Sequence, residues 1–181
     1  MKNNLKIVAF GASYSSTSIN RQFAGYAAGL FENAEVELLD LREFDLPLFT
    51  SDREKELGKP EAAQRFIEKL KQADLLIISM GEHNGSYEAA FKNLFDWTSR
   101  IELKMFEGKK ILLLSTSPGG RGGLGALETA KTRFPIHGAV ITAHFSLPRF
   151  RDNFSAEQGI VNEELKNLFL MAVEQTKSAF Q

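Results

Sequence analysis

The chain has 181 residues, 43% of them hydrophobic and 25% charged, which suits one globular domain spanning residues 1–181. A formal net charge of -1 gives no electrostatic reason to expect a nucleic-acid partner. The absence of cysteine excludes disulfides, thiolate nucleophiles and cysteine-ligated metals and makes a reducing cytoplasm the simplest address.

The opening apolar run, Leu5–Phe10, reads as a buried strand. A loop rich in hydroxyls follows, and then a helix from about Ser18 to Phe31. Glu35–Asp40 is a second strand, and Leu41–Pro60 a long irregular connection. Pro60 opens the next helix at a favoured first position, and that helix runs to about Gln72. Asp74–Met80 is a third strand and Tyr87–Arg100 a helix. Lys110–Ser115 is a fourth strand, Leu124–Phe134 a helix, Ala139–Ala143 a fifth strand and Asn162–Phe180 the last helix. Strands apolar on both faces that alternate with helices predict a parallel sheet covered on both sides. Five such strands predict an α/β, flavodoxin-like doubly wound fold with strand order 2-1-3-4-5. Ligands then sit beyond the carboxyl ends of strands 1, 3 and 4. No apolar run is long enough for a signal sequence or a spanning helix, so no membrane partner is expected.

The loops at those three ends are the most polar and glycine-rich in the chain. The first, Gly11–Thr17, runs into Ser18, so that Ser13, Ser15, Ser16, Thr17 and Ser18 cluster where one N-cap would need a single hydroxyl. Hydroxyls and free backbone N–H groups at a helix start can surround a phosphate without a lysine. The loop is neither a Walker A sequence nor G-x-G-x-x-G. The second, Gly81–Ser86, contains the turn pair Asn84-Gly85, and can border a planar ligand with backbone N–H groups and the Asn84 amide. The third, Thr116–Gly123, leads into Gly120-x-Gly122-x-x-Gly125, a dinucleotide fingerprint in the wrong context. It follows the fourth strand, and no acidic residue stands where a ribose partner belongs. Its glycines would let the backbone approach a flat ring closely. The three histidines, His83, His137 and His144, have no metal-ligand spacing, so no metal is expected, and His137 fits a structural turn. The apolar stripe Ala89, Ala90, Phe91, Leu94, Phe95 and Trp97 is core, with a subunit interface as a second reading.

Three segments resemble the NADPH-dependent FMN reductase family. Ala12–Asn20 is similar to its phosphate loop, G-S-x-R-x-x-S-x-N. Glu82–Gly85 with Lys92-Asn93-Leu94-Phe95-Asp96-Trp97 is similar to its P-E-Y-N…L-K-N-x-x-D-W signature. Ser117–Gly120 with Gly122-Gly123 is similar to its third flavin loop. The resemblance implies a bound FMN and NADPH or NADH as cosubstrate. Hydride would pass through the flavin to a flavin, quinone, azo dye or similar small acceptor, in a homodimer or homotetramer. It implies that Ser13, Ser15, Ser18 and Asn20, with Ile19, hold the FMN phosphate. Glu82, His83, Asn84 and Gly85 would border the isoalloxazine, and Ser117, Pro118, Gly119 and Gly120 close its other side. No side chain is assigned a catalytic role, because the cofactor carries the chemistry. Ala12 stands where the family has Gly, Ser15 where many members have Arg, and Gly81 and His83 where it has Pro and Tyr. The alternatives are a flavodoxin-type electron carrier, disfavoured by the near-neutral charge, and a cofactor-free binding module, disfavoured by the hydroxyl-rich loop.

Overall fold

A computed structural model describes residues 4–181. Strands β1 (Leu5–Ala12), β2 (Ala34–Leu38) and β3 (Leu75–Met80) precede a two-rung hairpin, β4 (Glu82–His83) and β5 (Ser86–Tyr87). Strands β6 (Lys110–Thr116) and β7 (Val140–Leu147) follow, and a second small hairpin is formed by β8 (Phe154–Ser155) and β9 (Gly159–Ile160). The helices are α1 (Ile19–Ala28), α2 (Ser51–Leu57), α3 (Glu61–Gln72), α4 (Ala89–Ile101), α5 (Leu124–Arg133), α6 (Phe150–Asn153) and α7 (Glu163–Ser178).

The five long strands form one parallel sheet in the order β2-β1-β3-β6-β7, the doubly wound order expected. Side chains alternate across it. Ile7, Ala9, Leu75, Ile77, Leu112 and Leu114 meet the buried faces of α1 and α7, while Val8, Phe10, Leu76, Ile78, Ile111 and Leu113 meet α3, α4 and α5. Both layers are rich in phenylalanine. Phe23, Phe145 and Phe169 interlock on one side, and Phe91, Phe95, Phe106 and Phe134 on the other. Each such ring, fully buried, stabilises the fold by about 1.5–3 kcal/mol.

Several boundaries differ from expectation, among them the end of α1 at Ala28 and the unexpected α6 and β8–β9, and four differences have a local reason. The 41–60 connection contains a 3-10 turn, Leu41–Phe44, and α2, whose side chains include none that is buried. A helix without an apolar stripe leaves no periodic signal. Pro60 is the residue before α3, with ψ at 137°, and not its first helical residue. Tyr87 belongs to the hairpin, so α4 starts two residues later. β7 runs on to Leu147, because its alternately buried and exposed outer half lacks a continuous apolar run.

The apolar stripe of α4 is covered within the chain. Trp97 Nε1 donates to the Pro47 carbonyl at 2.7 Å, and Phe49 meets the indole edge-to-face at 5.1 Å. Asn93 completes this clasp. Its Oδ1 accepts from Phe49 N at 2.7 Å, and its Nδ2 donates to the Leu46 carbonyl at 3.0 Å. The 41–60 connection therefore supplies the cover that a partner subunit was offered for.

Candidate functional site

The carboxyl ends of β1, β3 and β6 open into a cleft of about 220 Å3. Its lining includes Ser13, Ser15, Ser18, Ile19, Asn20, Glu82, His83, Ser117 and Pro118, nine of the thirteen residues expected. Thr17, Gly81, Glu88 and Thr116 also line it. Asn84, Gly85, Gly119 and Gly120 do not; all four are exposed at the rim.

The first wall is the start of α1. Ser18 caps it, its Oγ accepting from Arg21 N at 3.1 Å, which leaves the hydroxyl proton free to donate. Among the described residues no protein acceptor meets the N–H groups of Ser16, Ile19 or Asn20. These free donors and the positive end of the helix point at the cleft. The loop is folded on its own hydroxyls: Ser15 N donates to Ser13 Oγ at 3.2 Å, and Thr17 N to Ser15 Oγ at 3.3 Å. Gly11 lets α1 begin directly against β1, since a Cβ there would lie 2.3 Å from Arg21 N.

Asn20 lines the cleft but spends its amide inside the protein. Oδ1 accepts from Ser79 Oγ at 2.7 Å and from Thr116 N at 3.1 Å, and Nδ2 donates to the Thr116 carbonyl at 3.1 Å. The side chain thus ties the start of α1 to the ends of β3 and β6, the three elements that frame the cleft. The second Nδ2 proton and the backbone N–H, neither of which meets a protein acceptor among the described residues, are the donors the position offers a ligand.

Glu82 is committed in the same way. Its Oε2 accepts from Ala126 N at 2.9 Å, in the first turn of α5, where a carboxylate meets the positive helix end. It holds the 82–87 hairpin over the cleft. The hairpin turns through Asn84 and Gly85, both left-handed with φ of 53° and 76°, as a two-residue turn between twisted strands requires. The Glu88 carboxylate takes the Tyr14 N–H at 3.2 Å. Burial, with the Asp45 and Glu88 carboxylates facing it, pushes the Tyr14 phenol above its ordinary range. It stays protonated and donates to the Phe44 carbonyl at 3.0 Å.

The third wall resolves the misplaced fingerprint. Gly122 and Gly123 are left-handed, and a Cβ on Gly122 would meet the Leu147 backbone at 2.9 Å. A Cβ on Gly125 would lie 2.8 Å from the Gly85 carbonyl. These glycines serve packing of the chain on itself and not the approach of a dinucleotide or a ring. Gly119 and Gly120 differ: both are exposed, and an added Cβ would make only ordinary contact, 3.8 Å from Ser117 Oγ and 3.9 Å from Arg149 Nε.

The other two histidines lie outside the cleft. His137 is buried, with Nδ1 2.6 Å from the Leu103 carbonyl and its ring edge-on to Phe95, a structural role; His144 is exposed on β7. Thr17, Glu88 and Thr116 were legible only as neighbours of the motif residues.

Residues 5–152 match the family described as NADPH-dependent FMN reductase. The chain belongs to that family. A family relative, the NAD(P)H-dependent FMN reductase PA1204 of Pseudomonas aeruginosa, is 33% identical over 123 residues, 67% of this chain and 65% of the relative. The NADPH azoreductase of Bacillus sp. strain OY1-2 is 27% identical over 176 residues, 96% of this chain and 92% of the relative. The chain spans just under two thirds of the first of these and less than half of several quinone reductases. The flavoenzyme FerB, an NAD(P)H:acceptor oxidoreductase from Paracoccus denitrificans, superposes with a TM-score of 0.72 at 23% identity, over 96% of this chain and 98% of that one. At that identity the likeness establishes the fold alone. No helix among the described residues is long and apolar enough to cross a membrane.

Proposed function

We propose that this chain is an FMN-dependent NAD(P)H oxidoreductase that delivers electrons to a small acceptor such as a flavin, a quinone or an azo compound. The observation that carries the reading is the convergence of three loops on one cleft, with free N–H donors and hydroxyls on one side and exposed glycines at the rim of the other.

The residues present fit FMN. The Ser18 hydroxyl and the N–H groups of Ser16, Ile19 and Asn20 would hold its phosphate, with Ser13 and Ser15 close by. Glu82, His83, Asn84 and Gly85 on one side, and Ser117, Pro118, Gly119 and Gly120 on the other, would border the ring. The cofactor supplies the capacity to accept a hydride and release two electrons. The chain positions it: Asn20 fixes the framing elements relative to one another, Glu82 fixes the hairpin, and the exposed rim at Gly119 and Gly120 would meet a second planar molecule. Among the described residues no lysine or arginine lines the cleft, so phosphate recognition rests on hydrogen bonds and the helix dipole.

Purified protein soaked with FMN and desalted is expected to keep near-stoichiometric flavin absorbance, and anaerobic NADPH or NADH to bleach it faster than free FMN. A colourless product removes the flavin reading. Bound flavin that neither nucleotide bleaches leaves the electron carrier in its place.

We further propose a cytoplasmic homodimer or homotetramer. Since α4 is covered internally, the apolar surface left for assembly includes the groove between β7 and α7, where Leu168 and Met171 are 50% and 69% exposed. Light scattering that gives a monomer at micromolar concentration rejects this assembly.

A further inference from the structure

Arg149 stands at the rim of the cleft in a backbone conformation that its residue type disfavours. It follows β7 with φ 46° and ψ 59°, in the left-handed region where a Cβ is crowded. Three bonds hold it there. Arg149 N donates to the Gly119 carbonyl at 3.0 Å, Phe150 N to the Ser117 carbonyl at 3.0 Å, and Asn153 Nδ2 to the Pro148 carbonyl at 2.8 Å. The bend is thereby sewn to the glycine loop that closes the cleft. Glycine would adopt this conformation freely. What arginine brings to the position is its side chain.

That side chain is exposed, and it lies over the loop, its Nε 3.9 Å from where a Cβ on Gly120 would be. Among the described residues no carboxylate lies within 4 Å of its guanidinium, a freedom it shares with the exposed Arg121 of the same loop, which lacks the strained backbone; Arg42, Arg65 and Arg100 are each paired. The carboxylates lining the cleft, Glu82 and Glu88, accept from the backbone N–H groups of Ala126 and Tyr14, and neither forms an ion pair with Arg149. The site therefore has an uncommitted, pre-positioned cation on its rim and none inside. A nicotinamide dinucleotide brings phosphates to such a rim, and this chain has no glycine fingerprint free to cradle them, since Gly122 and Gly125 are used in packing. A guanidinium, planar and with paired donors, matches a phosphate.

We propose that Arg149 is a specificity-determining residue that binds a phosphate of the nicotinamide cosubstrate, either the pyrophosphate of both dinucleotides or the 2′-phosphate of NADPH alone. The proposal rests on the reading of the cleft as a flavin site. Arg149→Gly removes the guanidinium while suiting the left-handed backbone, and Arg149→Lys keeps the charge without the fork. Calorimetry on the FMN-loaded protein with two redox-inert probes, ADP-ribose and 2′-phospho-ADP-ribose, reads binding directly, and anaerobic turnover with NADH and NADPH reads KM against kcat.

Arg149→Gly is expected to weaken probe binding roughly ten- to hundredfold, with a matching rise in KM, little change in kcat and unchanged FMN retention. Arg149→Lys is expected to recover part of the loss. Weakening of both probes assigns the pyrophosphate, and weakening of 2′-phospho-ADP-ribose alone the 2′-phosphate. Unchanged binding of both probes by Arg149→Gly overturns the proposal, as does a wild-type protein that binds neither at millimolar concentration. If neither nucleotide reduces the flavin, the reductase reading fails, while the calorimetry still decides whether Arg149 binds phosphate.

Discussion

Glu82 Oε2 sits 2.9 Å from the backbone nitrogen of Ala126, joining residues 44 positions apart in the chain. A residue that lines the cleft thus also accepts from the first turn of the helix that follows the third loop, and ties the hairpin to it.

Glu82→Ala is expected to lower stability by about 1 kcal/mol, the usual cost of losing a helix cap. Glu82→Gln, which keeps an acceptor, is expected to lose less. Thermal unfolding checks this, and an alanine variant that melts with the wild type would show that the cap carries no weight.

Ser18 and Asn20 are expected to separate in their ligand response. Ser18→Ala removes a donor to the phosphate, so FMN binding should fall by about 1.5–3 kcal/mol while riboflavin binding changes little. Asn20→Ala loosens the framing of the whole cleft, so both ligands should suffer alike. It also leaves Ser79 and Thr116 without their buried partner, at a stability cost of about 1–3 kcal/mol. Fluorescence titration with the two flavins distinguishes the variants; equal losses in Ser18→Ala would place the phosphate elsewhere.

His137 makes stability depend on pH. Burial pushes its imidazole below the ordinary value of 6.5, reinforced by Arg133 and Lys104 and opposed by the Leu103 carbonyl. The unfolded chain therefore takes up the proton first. The stability contributed by neutral His137 is full above pH 6.5 and is lost as pH falls through the lowered folded value. Denaturant unfolding between pH 7.5 and 5 should show a midpoint that declines with acid, and His137→Gln should flatten the slope without abolishing it, because partial desolvation and the nearby Lys131 also lower the exposed His144 a little. A slope identical in wild type and variant would acquit His137.

Gly125→Ala is expected to disrupt the site without touching a ligand. The added methyl would sit 2.8 Å from both the Gly85 carbonyl and Glu82 Oε2, prying α5 from the hairpin. Reduced flavin retention with a lower melting temperature is the expected pair of results, and normal retention would show that the hairpin tolerates the shift.

The sheet was legible because its strands are buried on both faces, so Leu75–Met80 and Lys110–Thr116 declare themselves as apolar runs. The cleft was legible because loops at the carboxyl ends of three strands must meet in this topology. Side-chain commitments were not legible. Asn20 finds Ser79 and Thr116 at separations of 59 and 96 residues, and no local pattern encodes that most of a buried amide is already engaged. The glycines of the third loop misled for the same reason, since the backbone they admit is Leu147 and Gly85 and not a ligand's. Asn93 and Trp97 carried the family resemblance, yet their contacts are with Leu46, Pro47 and Phe49; part of that signature holds a connection in place.

The lack of any lysine or arginine along the cleft wall, among the described residues, has a consequence for ionic strength. Contacts made by hydroxyls and backbone N–H groups act over a bond length, and partly enclosed ones are screened little by mobile ions. Flavin retention should accordingly persist in molar salt. Arg149, exposed and acting as a point of charge, belongs to the opposite regime, where a Debye length of about 3 Å at 1 M quenches attraction. Concentrated sodium chloride would then release the transient partner and leave the resident one, so that a salt wash alone strips nucleotide from a still yellow protein.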